Sequence, residues 1–173
     1  MDRVAEFYKV SFEQFKKDYN NIQKGGGVSE EELKKLYDEI KLPKRATSGS
    51  AGYDFYLPYA ITLKAGEETI IPTGIRFRCL EDYGLLFMNK SGLGSKSRLQ
   101  LNTCISLIDS DYYYSDNEGH IMAYIIHDSR DKDAVLNLPA GKSFLQGVFV
   151  KYGITESDDG GSAKRNGGFG STK

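Results

Sequence analysis

From Leu42 onward the chain breaks into short apolar runs: "YAITL", "ETIIPTGIRFRC", "GLLFM", "CISLID", "HIMAYIIHD", "AVLNLPAG" and "FLQGVFVKYGI". Gly, Pro or Asp punctuates them at short intervals. This rhythm constrains the fold more than any other feature. β-Branched and aromatic residues fill the runs, and no helical period of useful length runs through them. Turn signals about every ten residues predict a mainly β fold, a sandwich or a jelly roll. The 173 residues suffice for a proper core and match the size of a single domain, 1–173.

The N-terminal part reads differently. "RVAEFYKV" alternates roughly like a strand. Two helix starts of one design follow. Ser11-Phe12-Glu13-Gln14 reads as a capping box, with Val10 and Phe15 placed for a hydrophobic staple. Ser29-Glu30-Glu31-Glu32 repeats it, with Val28 and Leu33. Phe12, Phe15 and Tyr19 share one helical face, and Leu33, Leu36, Tyr37 and Ile40 share another. Short helices are expected over 11–22 and 30–40, separated by "KGGG". At the other end, "ESDDGGSAKRNGGFGSTK" from Glu156 is polar and glycine-rich, and its composition predicts a mobile tail.

Charge narrows the partners. Lys plus Arg total 23 and Asp plus Glu total 24, so no electrostatic footprint for duplex nucleic acid or an anionic membrane is expected. No apolar run approaches the roughly 20 residues of a membrane span. "MDRVAEFYKV" lacks a signal peptide's apolar core, so a cytoplasmic protein is expected. Cys79 and Cys104 lie among apolar neighbours without metal-ligand spacing and read as reduced thiols. His120 and His127 are isolated and read as structural.

Three stretches carry chemistry-bearing side chains. "LIDSDYYYS" places Asp109 and Asp111 two apart, on one face if the strand continues. "KSGLGSKS", 90–97, could offer backbone N–H groups and hydroxyls to a phosphate, although the P-loop spacing is absent. "SAGYDFYLP" feeds a strand. Singly, each has an ordinary structural explanation. In order, five segments together resemble the trimeric dUTPases (dUTP diphosphatases). "LPKRATSGSAGYDFYLP" resembles the family's first motif, "NKSGLGSK" the second and "SLIDSDYYYSDNEGHI" the third. "GKSFLQGVFV" resembles the fourth and "KRNGGFGSTK" the fifth. The resemblance covers roughly 42–173. The helical N-terminus is similar to a Firmicute and phage-type branch.

The resemblance implies a distorted jelly-roll barrel, a homotrimer with shared sites, and hydrolysis of dUTP to dUMP and pyrophosphate. That reaction limits uracil incorporation into DNA and supplies dUMP for dTMP synthesis. Asp109 is expected to activate the water that attacks the α-phosphorus. Lys90, Ser91, Gly92 and Gln146 are expected on the phosphates or metal-bound water, with Asp54 in support. No direct protein ligand is expected for Mg²⁺, which phosphate oxygens and water would hold. Segment 98–109 would read uracil with backbone groups, and Tyr112 would lie against the deoxyribose. The tail would close as a lid, with Phe169 on the base, Arg165 on the γ-phosphate, and Gly170, Ser171 and Thr172 beside the triphosphate. Segment 11–41 is expected as an insertion packed outside the barrel and open to a protein partner, and 156–173 as the lid.

The departures are specific. Asn89 and Lys90 stand where the second motif usually has Pro and Arg, and Ser143 where the fourth often has a basic residue. Ser106 replaces a glycine, and "YYSDNE", 113–118, replaces a single Arg after Tyr112. A dCTP deaminase-type relative and a non-catalytic nucleotide-sensing module remain as alternative readings.

Overall fold

The computed structural model describes residues 2–23 and 27–161. It is a mainly β structure in which β1 (Ala5–Lys9) leads into α1 (Phe12–Ile22) and α2 (Glu30–Glu39). Next come β2 (Lys44–Arg45), β3 (Tyr53–Tyr56), β4 (Ile61–Lys64), β5 (Glu68–Pro72), β6 (Ile75–Cys79) and β7 (Tyr83–Asn89). The helix α3 (Ser91–Ser97) precedes β8 (Leu99–Leu101) and β9 (Ile105–Ile108). A 3₁₀ turn over Ser110–Tyr114 is followed by β10 (Met122–His127), β11 (Val135–Leu138) and β12 (Ser143–Lys151).

The strands form antiparallel ladders in the orders β2-β3-β12-β7-β9, β5-β10-β8, β1-β6 and β11-β4. Their inner faces meet over Phe55, Phe77, Phe87, Ile71, Ile125 and Phe144, all buried. The run "ETIIPTGIRFRC" is two strands rather than one: Gly74 takes φ 72°, a left-handed value that turns β5 into β6. β1 pairs with β6 from Ala5↔Cys79 to Lys9↔Ile75, so the N-terminal strand closes one side of the barrel.

Both helices form where their caps and apolar spacing dictate. At α2 the capping box is complete, with Ser29 and Glu32 bonded reciprocally. At α1 it is half-formed: Ser11 Oγ accepts from the Gln14 N–H at 3.1 Å, while the Gln14 amide turns away to Asp18. A distant carboxylate, Glu118, takes the Ser11 N–H instead at 2.8 Å.

The helices are not a detached appendage to the strands. Phe15, Tyr19, Leu33 and Ile40 belong to the same buried cluster as Phe55 and Phe87. Phe15 is completely buried, a burial that contributes about 1.5–3 kcal/mol. The stripes on α1 and α2 therefore complete the core. The two cysteines also differ from expectation. Cys79 is half-buried, but Cys104 is exposed in the turn after β8, at φ 62°.

Candidate active site

The sequence-designated residues gather at two places, one at each end of β7. At its C-terminal end, Gln146 on β12 lies directly across from Asp54 on β3 and from Met88 on β7. Lys90 follows β7 immediately. Its Nζ donates to Asp54 Oδ2 at 2.6 Å and to Ser143 Oγ at 2.5 Å. The side chains are 33% and 15% exposed for Lys90 and Asp54, so the pair is partly shielded from water. The lysine that the sequence assigned to phosphate charge is thus neutralised by Asp54 in this structure. Ser143, standing where a basic residue is usual, is the hydroxyl that lets Lys90 reach across. The Gln146 Nε2 donates to the Asn89 carbonyl at 3.2 Å. A Cβ at Gly52 would lie 2.7 Å from Gln146 Oε1, so a larger residue there would push the amide aside.

Asn89 was read only as a departure from the motif, yet it has a clear task. Its Oδ1 accepts the Leu101 N–H at 2.5 Å and ties the end of β7 to β8. A proline cannot make that bond; a short side-chain amide at a strand end was the signal for it. "KSGLGSKS" is not an open loop but a seven-residue helix, closed at Arg98 in a left-handed conformation, φ 53°. The Gly94 N–H bonds the Lys90 carbonyl, which leaves the amides of Ser91, Gly92 and Leu93 without partners inside the helix. Ser91 and Gly92 are exposed there.

At the other end of β7, β9 stops at Ile108 and Asp109 begins the 3₁₀ turn in extended geometry, φ −75° and ψ 158°. The expectation that Asp109 and Asp111 share a strand face therefore fails, because the chain leaves the strand between them. Both still line a cleft of about 1030 Å³, with Arg78, Asp82, Tyr114 and Tyr152 among its walls. Tyr112 is 4% exposed, and its hydroxyl donates to the His120 carbonyl at 3.0 Å. Asn117 Nδ2 donates to that same hydroxyl at 2.8 Å.

One chain does not bring the two groups together. Ile108 sits opposite Leu85, so Asp109 continues toward Gly84, whereas Gln146 sits opposite Met88 on the far side of β7. Four residues along β7 and two strand spacings across place the two groups about 15–20 Å apart. Segment 98–109 links them as an arch: β8 joins β10, β9 joins β7, and Cys104 N–H bonds the Leu101 carbonyl at 3.0 Å in the turn. β9 is the outermost strand of its sheet, and Ile105 and Leu107 are each 56% exposed along it. Arg165, Phe169, Gly170, Ser171 and Thr172 lie outside the described residues.

The donors near Lys90 suit a hard cation held indirectly. Asp54 and Gln146 offer oxygen, the donor type Mg²⁺ takes, and Mg²⁺ keeps several waters alongside one or two carboxylates. Among the described residues no three His, Cys, Asp or Glu side chains form a ligand group.

Comparison with known proteins places this arrangement. The dUTPase family model matches residues 38–173, and the chain belongs to the dUTPase family. The deoxyuridine 5'-triphosphate nucleotidohydrolase of Lactococcus lactis is 34% identical over 135 residues, 77% of this chain and 88% of its own length. That of Hahella chejuensis is 39% identical over 147 residues, 80% and 91% of the two chains. The crystal structure of the dUTPase from Streptococcus mutans matches with a TM-score of 0.61 at 32% identity, over 69% of this chain and 91% of the other. A dUTPase of a Staphylococcus aureus phage, which coordinates a structural Mg(II) ion, shares the fold at 21% identity and a TM-score of 0.59, over 71% of this chain and 92% of its own.

Proposed function

We propose that this protein is a dUTP diphosphatase, hydrolysing dUTP to dUMP and pyrophosphate in the cytoplasm and acting as a homotrimer. The observation that carries the reading is Asp109, held at the end of β9 on the wall of a cleft by a family-matched segment. Its carboxylate accepts a proton from water and aims that water at the α-phosphorus, so that the P–O bond to the β-phosphate breaks as the new P–O bond forms. Gln146, the α3 amides near Ser91 and Gly92, and Lys90 hold the phosphates. Lys90 turns to them from Asp54, and Asp54 would then be free to support a Mg²⁺ ion through water. When bound, Mg²⁺ supplies positive charge against the triphosphate.

The separation of Asp109 from Gln146 favours the trimer. A triphosphate cannot span about 15–20 Å within one subunit, so Asp109 of one copy would serve the phosphate-holding group of another. The arch 98–109 presents main-chain donors and acceptors to uracil. Cytosine would leave buried groups unpaired, at about 1–3 kcal/mol each. Tyr112 abuts the deoxyribose and leaves no room for a 2′-hydroxyl. By the same family resemblance, Arg165, Phe169, Gly170, Ser171 and Thr172 close over the substrate.

The test is incubation with a panel of deoxynucleoside triphosphates and Mg²⁺, reading pyrophosphate and ammonia together. Pyrophosphate from dUTP alone is expected. Ammonia from dCTP would establish a deaminase, and binding without turnover a sensor. Removing 164–173 should abolish most activity and leave the assembly folded, as light scattering and circular dichroism would show.

A further inference from the structure

The region before the family-matched segment and the lengthened turn after Tyr112 are bonded to each other. The match begins at residue 38, so α1 lies wholly before it. Glu118, the last residue of the lengthened turn, accepts from both ends of the α1 cap: Ser11 N at 2.8 Å and Ser11 Oγ at 2.6 Å. It does so from a left-handed conformation, φ 59°, which a non-glycine residue holds only when its surroundings enforce it. Arg76 Nη1 stands 3.8 Å from the same carboxylate, and Arg76 Nη2 donates to the Tyr113 carbonyl at 2.8 Å.

A second tie lies about two helical turns further along α1. Asp18 Oδ2 is 2.6 Å from His120 Nδ1, and the amide of Gln14 bonds that same oxygen at 2.7 Å. The other His120 nitrogen, Nε2, accepts the Gly74 N–H at 2.7 Å, which leaves Nδ1 to carry the proton and donate it to Asp18. The ring is completely buried against Phe15. Its backbone carbonyl is the acceptor of the Tyr112 hydroxyl. Gly119, between Glu118 and His120, lies so close to Tyr112 that a Cβ there would come within 2.7 Å of the Tyr112 carbonyl.

We propose that α1 is a positioning element for the sugar pocket: Ser11–Glu118 and Asp18–His120 clamp the 115–120 turn, and the turn fixes the Tyr112 ring through its hydroxyl. In most polypeptides a turn with this many extra residues would loosen a tyrosine beside it. Here two anchors from a helix about a hundred residues away in sequence, Ser11 and Asp18, remove that freedom. The function served is discrimination between deoxyribose and ribose, and the inference rests on the dUTPase reading of Tyr112. Asp18, Ser11, Glu118 and His120 touch no substrate in it; they act through Tyr112.

The experiment compares kcat and KM for dUTP and for UTP in the intact protein, with Asp18→Asn, Glu118→Gln, Ser11→Ala, Asn117→Ala and Tyr112→Phe, and with thermal unfolding of each. Loss of one or two anchoring hydrogen bonds should lower the preference for dUTP over UTP about three- to tenfold, mainly through KM, with kcat for dUTP within about twofold. Tyr112→Phe should shift the preference in the same direction. Folded variants whose Tm falls while the dUTP/UTP preference stays at the wild-type value would overturn the clamp and leave a structural role. Glu118→Gln and Ser11→Ala sit at an exposed contact, so they remain readable if Asp18→Asn does not fold. Tyr112→Ala separates the two readings. If it loses the preference while the clamp variants keep it, the clamp alone is wrong. If it keeps the preference, the sugar-contact reading fails and the clamp fails with it.

Discussion

The two ends of β7 are built on opposite terms. At the Lys90 end three designated side chains are held by neighbours: Lys90 by Asp54 and Ser143, and Gln146 by the Asn89 carbonyl. At the Asp109 end the chain leaves the sheet and the aspartate opens onto a cleft about 1030 Å³ in volume. A cluster whose side chains bond one another must rearrange to take a ligand. An aspartate on a cleft wall can be reached by solvent, but the substrate must be brought to it. On the proposed reading, binding and chemistry fall at separate ends of one strand, and a second copy would reunite them.

The strongest way to break this comparison is at its open end. Asp109→Asn should lower turnover about 10²- to 10⁴-fold while dUTP binding stays close to wild type; stopped assays and calorimetry would read the two, and wild-type turnover would remove the base assignment. Next in size is complementation. Asp109→Asn and Gln146→Ala, each inactive alone, should regain roughly a quarter of wild-type activity when unfolded and reassembled in equal amounts, because random mixing leaves that share of sites with both native residues. No recovery would mean that both ends serve one site within one chain.

A smaller effect is expected at the partnered end. Lys90→Ala removes a charge-assisted contact and should reduce kcat/KM about 10- to 100-fold. Lys90→Arg sharpens the question, because a guanidinium would hold two phosphate oxygens but must still be accommodated beside Asp54 and Ser143. The smallest effect concerns the cysteines. Burial, reinforced by the Asp82 charge, pushes the Cys79 thiol up to about 11, so it stays protonated and slow to react until the pH climbs toward that value. Exposed Cys104 should take up a thiol reagent first at pH 8, counted by mass. Because Cys104 sits in the arch between the two ends, protection by dUTP would also report that the arch contacts substrate.

Much of this was legible in the sequence, for reasons that differ by residue. Ser29 and Glu32 announce α2 because both halves of the cap lie within one turn. The strand runs declare themselves by β-branched residues, and Asp109 to Tyr112 by identity and spacing. What failed was set by distant partners. The Ser11 cap looked self-sufficient, but its second half is Glu118, 107 residues away. The apolar faces of α1 and α2 signalled burial without saying against what; they pack on each other and on His120 and Tyr59, within the cluster they share with the strands. α3 is short and rich in Gly and Ser, β8 has only three residues, and contacts such as Asn89 to Leu101 hold them rather than propensity. The Lys90–Asp54 pair required knowing that β12 alone separates β3 from β7.

The outer margin of β9 has one more consequence. A strand at a sheet border, flanked by bare Ile105 and Leu107, is adhesive toward any other border it meets. A freshly made copy therefore passes through a hazardous interval between folding and finding company. Recovery from denaturant should peak at an intermediate protein concentration, since dilute chains stay solitary with the seam uncovered and crowded ones stick in the wrong way.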